Sequence, residues 1–481
     1  MGSNPTPSAM DARDFRAWGH RLVDWIADYL ENVEQYPVLS PVSPGEIRER
    51  LPKYAPELPE SFEQIFTDFQ KHLLPGITHW QSPNFYAFFP ANNSYPSILG
   101  ELLAAGLGVQ GMLWQTSPTC TELETHVLDW LVNLLGLPEK FLSCSTGGGV
   151  IQDTASSATL CAVVAAREQA SSGFTGQLGA CPRLTAYAST EAHSSVEKAL
   201  RIAGLGTASL RRIPVDKSLA LRPEELERAI QTDRRNGFYP FLIVATLGTT
   251  STLAFDPLRP IGDIARRYHL WLHVDAAMAG TAAICPEFRF FHDGLEFADS
   301  YCFNPHKWMG VNFDCDCFYV ADRQALIRAL RMVPDYLRNP ASESGQVIDY
   351  RDWQIPLGRR FRALKLWFVL RAFGAEGIRS LVRRHIALAR QFADWLQQDP
   401  RFEIVAPVTL NLVCFRLRGD DSLNQQFLQR LNATGSIYLS HTRVHDRFTL
   451  RFCVGNLRTQ EHHVHQAWQL IHRVADSLVK R

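Results

Sequence analysis

Apolar and polar positions along the chain alternate in two rhythms. Phe15, Trp18, Leu22, Trp25, Ile26, Tyr29 and Leu30 recur at helical spacing between Asp11 and Glu34, so the first element after a polar, proline-containing start is an aromatic-faced helix. Pro37 to Pro59 reads as a proline-rich linker with one short helix around Pro44 to Leu51, and Ser61 to Leu74 as a further amphipathic helix. Ser117-Pro118 opens a helix to Leu135, with serine as N-cap and proline in the first turn. From about Ser143 to Val320 the period switches. Strand-like runs at Leu184–Ala188, Phe241–Thr246 and Leu270–Val274 are separated by helical runs at Ser194–Ala203, Pro223–Gln231 and Pro260–Tyr268. This predicts an α/β fold, a mostly parallel sheet with helices on both faces, whose ligands sit at the carboxyl ends of its strands. Strands near Leu410–Leu417 and Phe448–Cys453 and a last helix near Gln460–Val479 predict a small C-terminal α/β domain. The expected division is an N-terminal helical arm and dimerisation segment over 1–95, its aromatic helix facing another subunit, a large cofactor-binding domain over 96–365 and a small domain over 366–481.

Composition narrows the classes. Forty-nine basic and 49 acidic side chains cancel, which favours neither nucleic acid nor an anionic membrane. No apolar run approaches the roughly 18 residues that span a bilayer, and no basic segment followed by an apolar core marks a secretory leader. The ten cysteines are scattered, lack a C-x-x-C, and read as reduced, buried thiols of a cytoplasmic protein. Cys315 and Cys317 read as strand residues, and no metal site is expected.

Candidate chemistry gathers between Ala298 and Val320. Two short buried strands, Asp299–Phe303 and Asp316–Val320, flank Asn304-Pro305-His306-Lys307-Trp308. A lysine at a strand end among apolar neighbours is desolvated, which lowers its pKa and frees the amine as a nucleophile for Schiff-base chemistry, most often with pyridoxal 5′-phosphate. This stretch alone leaves a plain surface lysine equally open. Four features shift the balance. Ser145-Thr146-Gly147-Gly148-Gly149 leads through Thr154-Ala155-Ser156-Ser157 into an apolar helix, the pattern of an anion site. Asp275 ends a strand and reads either as a helix cap or as a carboxylate that pairs with a protonated pyridine nitrogen, and small Ala277 follows. His193, at the start of a helix, reads either as a cap or surface residue or as one that stacks on the ring, and Thr246 to Thr250 puts hydroxyls at another strand end. His79 to Pro96, HWQSPNFYAFFPANNSYP, is dense in aromatics and reads as loop packing or as a pocket wall containing Trp80, Phe88, Phe89 and Pro90. Pro334 to Val347 is polar and aperiodic, the pattern of a lid.

The motifs THWQSPNFYAFFP, GGGVIQDTASSAT, EAHSSVEKA, VATLGTTST, WLHVDAAMAG, FNPHKW and DWQIPLGRRFRALKLW together resemble the pyridoxal-phosphate-dependent aromatic-L-amino-acid decarboxylases, within the group II decarboxylases, from about Asp11 to Leu478. The resemblance implies a type I, aspartate-aminotransferase-like fold and a homodimer with active sites at the interface. It implies that Lys307 carries the cofactor, Asp275 pairs with the pyridine nitrogen, and His193 and Ala277 face the two sides of the ring. Ala155, Ser156 and His306 surround the phosphate, and Thr246 and Asn304 complete the pocket. Tyr336 matches the tyrosine that protonates the substrate carbon, reaching in from the neighbouring subunit.

Departures bear on substrate. Ser157 replaces the commoner glutamate, Phe88-Phe89-Pro90-Ala91 replaces Tyr-Phe-Pro-Thr, and Met112 stands where an aromatic residue often lines the partner's pocket. Gly358 argues against the histidine-specific branch and points toward indolic substrates. The expected reaction is decarboxylation of tryptophan, 5-hydroxytryptophan, dihydroxyphenylalanine, tyrosine or phenylalanine to the arylalkylamine. The alternatives are an aldehyde synthase on the same fold and a catalytically silent scaffold. Gly106-Leu107-Gly108-Val109-Gln110-Gly111 matches the dinucleotide fingerprint, but a helix-like segment precedes it. His462, His463 and His465 read as a solvated helix face.

Overall fold

The computed structural model describes residues 10–179, 183–332 and 337–479. Seven strands form the central sheet: β1 (Gly148–Gln152), β2 (Leu184–Ser189), β3 (Leu210–Ile213), β4 (Tyr239–Thr246), β5 (Trp271–Asp275), β6 (Ser300–Phe303) and β7 (Asp316–Val320). Their order is β1-β7-β6-β5-β4-β2-β3. Strands β3, β2, β4, β5 and β6 run parallel, and β7 runs antiparallel to both β6 and β1. Sequence read the mostly parallel core correctly and missed β1 and β3. Strand β1 hides because its two glycines carry no strand signal, and so the expected glycine turn does not feed the helix directly. A strand intervenes, and the helix Ala155–Ala170 begins after it.

Successive strand residues face opposite sides, so a sheet covered twice must be apolar throughout. Val150 packs under the helix Ala155–Ala170 with Ala158, Cys161 and Ala162, while Ile151 packs against Val127, Leu128 and Leu131 of the helix Pro118–Leu135. A buried ion pair pins the second layer. Arg359 meets Glu124, and Glu124 Oε1 also accepts the Ile151 N–H at 2.7 Å. The Gly106–Gly111 fingerprint lies at the C-terminal end of the helix Tyr95–Leu107, where Gly108 takes a left-handed φ of 61°, so it opens no helix.

A second, antiparallel sheet, β8 (Phe402–Ile404), β9 (Leu412–Leu417), β10 (Ser440–Val444) and β11 (Arg447–Cys453), has the order β10-β11-β9-β8. The expected boundary at 365/366 falls inside the helix Arg362–Gln398, which breaks at Gly374 (φ 61°, ψ 171°). Its side chains through Ile386 join the large core, and those from Leu388 onward join the small one.

The aromatic face of the helix Ala12–Glu31 finds a partner within the chain. Trp18 packs on Phe62 at 4.7 Å between ring centroids, and Trp25 on Phe66 and Phe69 at 5.8 and 5.4 Å. No helix of the described residues is long and apolar enough to cross a membrane.

The helices Tyr95–Leu107 and Arg362–Gln398 touch where Gly100 allows it: a Cβ there would lie 2.7 Å from Lys365 Cα. Gly100→Ala gains about 1 kcal/mol of helix propensity but forces two backbones apart, an overpacking cost of about 1–3 kcal/mol. The urea midpoint is expected to fall, and an unchanged or higher midpoint would contradict this contact.

Candidate active site

The carboxyl ends of β4, β5 and β6 meet at one edge, because the register pairs Thr246 with Asp275 and Asp275 with Cys302. After β6 the chain turns through Asn304 into the short helix Pro305–Trp308, which presents Lys307. Pro305 supplies the fixed φ of a first helical position and lacks the N–H that would otherwise need a partner. Asn92 clamps this turn. Its side-chain amide donates to Lys307 O and Gly455 O, both at 2.8 Å, and its backbone N–H donates to His306 O at 3.2 Å. Behind Lys307, the Trp308 indole N–H donates to His385 Nδ1 at 2.8 Å in the core.

Burial lowers the pKa of Lys307, opposed first by Asp275 and then by Asp316. An amine held in this way is a better nucleophile near neutral pH than a surface lysine. Asp275 is buried and accepts the Ala277 N–H at 3.0 Å, which fixes one carboxylate oxygen. Ala277 in turn accepts the Asn304 N–H at 3.0 Å. His193 keeps an exposed face, yet desolvation lowers its pKa, opposed by Asp275 and reinforced by Lys307. Its Nδ1 accepts the Ser195 N–H at 3.1 Å, so the proton of the neutral ring lies on Nε2. His306 follows the same logic: Nδ1 accepts the Cys315 N–H at 2.9 Å, and burial pushes its pKa down to about 3. It stays neutral and offers an Nε2 donor.

The expected anion site is the start of the helix Ala155–Ala170. Thr154 is its N-cap but makes no side-chain cap hydrogen bond, so the first-turn N–H groups at Ala155 and Ser156 remain for a ligand. Thr246 Oγ1 and Asn304 Oδ1 are buried without a hydrogen-bond partner among the described residues. Such groups are costly unless something else pairs with them. Uncapped N–H groups, a neutral histidine donor, an aspartate and a lysine at one sheet edge fit an anionic, ring-bearing carbonyl cofactor.

The aromatic loop folds over this edge. Phe89 is buried with its ring centroid 5.4 Å from Lys307 Nζ, and Arg451 lies 5.3 Å from the same ring. Trp80 stacks on Phe85 and Phe88 at 4.4 and 5.8 Å, and Pro90 is buried beside them. Phe88 adopts a positive φ of 52°, costly for a side chain, and its N–H donates to Ser440 Oγ at 2.9 Å. Met112 and Gly358 belong to a separate cluster. Met112 O accepts the Arg351 N–H at 3.1 Å, and Gln110 Oε1 accepts the Arg359 N–H at 3.2 Å next to Gly358. Tyr336 lies outside the described residues, as do residues 334 and 335 at the start of the expected lid. His463 is buried near Glu34 rather than solvated, and no cluster of metal-ligating side chains occurs among the described residues. Sequence reasoning missed Arg451, Ser195 and Asp316. Each sits inside or beside an apolar run, and the only available signal was a charge or hydroxyl interrupting that run.

The fold and site define an α/β enzyme that depends on pyridoxal 5′-phosphate. The pyridoxal-dependent decarboxylase conserved domain matches residues 44–418, and the chain belongs to that family. It is 47% identical to the aromatic-L-amino-acid decarboxylase of Cavia porcellus over 479 residues, 98% of this chain and 99% of that one. It is 46% identical to the phenylacetaldehyde synthase of Arabidopsis thaliana over 489 residues, 100% of this chain and 99% of that one. A crystal structure of Oryza sativa TDC with PLP and tryptamine superposes with a TM-score of 0.95 at 42% identity, covering 98% of this chain and 99% of that chain.

His385 offers a test of the packing behind Lys307. Burial pushes its pKa down to about 3 from an unfolded value near 6.5. A depressed folded pKa gives stability that is complete above about pH 6.5 and lost as pH falls toward the folded value. The stability penalty of His385→Gln is therefore expected to be largest at pH 7.5 and smaller at pH 5.5 in urea unfolding. Equal penalties would contradict a neutral, buried imidazole.

Proposed function

We propose that this decarboxylase acts on an aromatic L-amino acid, releasing carbon dioxide and the arylalkylamine. The observation that carries the reading is the aromatic wall over the amine: Phe89 faces Lys307 at 5.4 Å, with Trp80, Phe88 and Pro90 adjoining. The name of the guinea-pig relative and the tryptamine in the rice structure point the same way. The bound cofactor supplies a sink for the electrons released when the bond to the carboxyl group breaks.

In this reading Lys307 Nζ would hold the cofactor, and a substrate amine would take its place. The Asp275 carboxylate keeps a proton on the pyridine nitrogen, while His193 and Ala277 pack on opposite faces of the ring. The backbone at Ala155 and Ser156, together with His306 Nε2, takes the phosphate, and Thr246 and Asn304 close the pocket. Trp80, Phe88, Phe89 and Pro90 receive the aromatic side chain. Tyr336 Oη supplies the proton to the substrate carbon, a role that rests on the resemblance.

We further propose a cytoplasmic homodimer in which Met112, Gly358 and Tyr336 serve the partner's pocket. Tyr95, Leu99, Leu102, Leu103 and Leu107 form an exposed apolar face on one helix, larger than an isolated monomer tolerates well. Nine cysteines among the described residues are free, in keeping with a reducing compartment.

A second reading has a specific observation behind it. The Arabidopsis relative is a phenylacetaldehyde synthase, so an oxygen-consuming outcome on this fold is the rival. In the family that outcome goes with phenylalanine in place of the loop tyrosine or asparagine in place of the stacking histidine, whereas this chain has Tyr336 and His193.

Incubation with a panel of aromatic amino acids and added pyridoxal phosphate is expected to release carbon dioxide with matching amine and no hydrogen peroxide. Stoichiometric peroxide would establish the synthase instead. Tyr336→Phe is expected to lower amine yield and raise aldehyde and ammonia, and unchanged product ratios would remove Tyr336 from the chemistry. Leu103→Glu is expected to shift the sedimentation coefficient from dimer to monomer with loss of activity. A monomeric unaltered chain with full activity would refute the shared site.

A further inference from the structure

One carboxyl group at the strand ends has no part in the reading above. Asp316 opens β7 with 0% of its surface exposed, and neither Oδ1 nor Oδ2 has a hydrogen-bond partner among the described residues. An unpaired carboxylate in such a place costs several kcal/mol. Either the group is neutral or it faces a partner that the chain alone does not supply. Among the other buried atoms that share that condition, Thr246 Oγ1 and Asn304 Oδ1 lie at neighbouring strand ends.

Sheet register puts all three on one face. Thr246 pairs with Asp275, Asp275 with Cys302, and Cys302 with Phe318, so these residues stand side by side. Asn304 lies two residues from Cys302 and Asp316 two residues from Phe318, which returns both to the same face. On its other flank Asp316 pairs with Gln152. The Gln152 amide is engaged with Trp353 O at 2.9 Å, and its chain continues through Asp153 and Thr154 to the uncapped helix start at Ala155. The residue before Asp316, Cys315, donates its N–H to His306 Nδ1 at 2.9 Å. Asp316 therefore stands between two elements of the expected phosphate site.

We propose that Asp316 is a further cofactor-binding residue, a carboxylic acid whose O–H donates to the cofactor phosphate beside the Ala155 and Ser156 N–H groups. A carboxylate there would repel the phosphate, whereas the acid donates a hydrogen bond to a charged acceptor. The surroundings favour the acid. Burial first, and Asp275 second, hold Asp316 well above the usual carboxylate range, with Cys315 and Asp153 adding and Lys307 opposing. Cys161 from the helix Ala155–Ala170, Cys302 from β6 and Cys317 from β7 are the other titratable groups that sense it. The proposal rests on the cofactor assignment and is independent of which amino acid is the substrate.

The test compares the full chain, stripped of cofactor and retitrated with pyridoxal 5′-phosphate or with pyridoxal, which lacks the phosphate. Asp316→Ala is expected to weaken binding of the phosphate ester roughly tenfold or more, the value of a hydrogen bond to a charged group, and to leave pyridoxal binding unchanged. Asp316→Asn retains an N–H donor of similar size, so its preference for the ester stays near that of the unaltered chain. The phosphorus-31 resonance of bound cofactor is expected to move in the alanine variant only. Equal weakening toward both ligands would mean that Asp316 is merely structural, and tighter ester binding by the alanine variant would mean a repelling carboxylate. Either result overturns the proposal, as does loss of ester preference in Asp316→Asn, the variant that keeps the test open if alanine prevents folding. Failure of the unaltered chain to bind the ester would overturn the cofactor assignment itself and is read apart from the variants.

Discussion

Burying a primary amine without losing its reactivity is the demand that shapes this site. Desolvation lowers the pKa of Lys307, and the Asp275 carboxylate is the first group to oppose it. Too much of the first would leave an unpaired polar group at high cost, and too much of the second would fix the amine as an ammonium ion. The balance needs a carboxylate at a set position near one turn, and a strand end provides such a position. Three parallel strands ending at one edge, with β7 returning antiparallel beside them, bring residues from distant stretches of chain within range of a single lysine.

The clamp on that turn joins the two sheets. Asn92 bridges Lys307 O and Gly455 O, and Arg451 on β11 donates to Ser251 O and Thr250 O at 3.0 and 2.8 Å beside the Phe89 ring. The aromatic loop is also held by the small domain, since Tyr86 stacks on Phe452 at 4.0 Å and Phe88 donates to Ser440. The positive φ of Phe88 persists because both flanks are fixed in this way.

Much of this was legible in the sequence, for identifiable reasons. Strand β7 was located to the residue because an apolar run between turn signals has few alternatives, and Ser117-Pro118 announced its helix by cap chemistry. Motifs singled out Lys307, Asp275 and His193 because each lies at a change of element, where side chains with chemistry interrupt the apolar period. Strand β1 was not legible, because glycine carries no period. The partner of the aromatic N-terminal helix was not legible either: a hydrophobic face shows that something covers it, not what, and Phe62, Phe66 and Phe69 do so here. Asp316 escaped because a single acidic residue in a strand looks like an edge position, and only the three-dimensional register shows it buried at the site.

Under the proposed function, the same geometry sets the residues of the reaction apart from Met112 and Gly358, two of those assigned to the substrate. Lys307, Asp275, Thr246 and Asn304 stand on the sheet edge, where any displacement disturbs the paired strands and the buried core behind them. Met112 and Gly358 belong to irregular segments joined through Gln110 and Arg351, and a Cβ added at Gly358 would meet Gln110 Oε1 at 3.4 Å, an ordinary contact. Substitution there leaves the core untouched. A fold arranged in this way can keep its lysine and carboxylates fixed while the ring-binding surface varies. That is consistent with relatives near 47% identity that carry the names of both a decarboxylase and an aldehyde synthase. Under the proposed dimer the division sharpens, because the variable segments would serve a pocket whose catalytic edge belongs to another copy of the chain. Selectivity would then depend on how two rigid bodies meet, and reactivity on how one sheet ends.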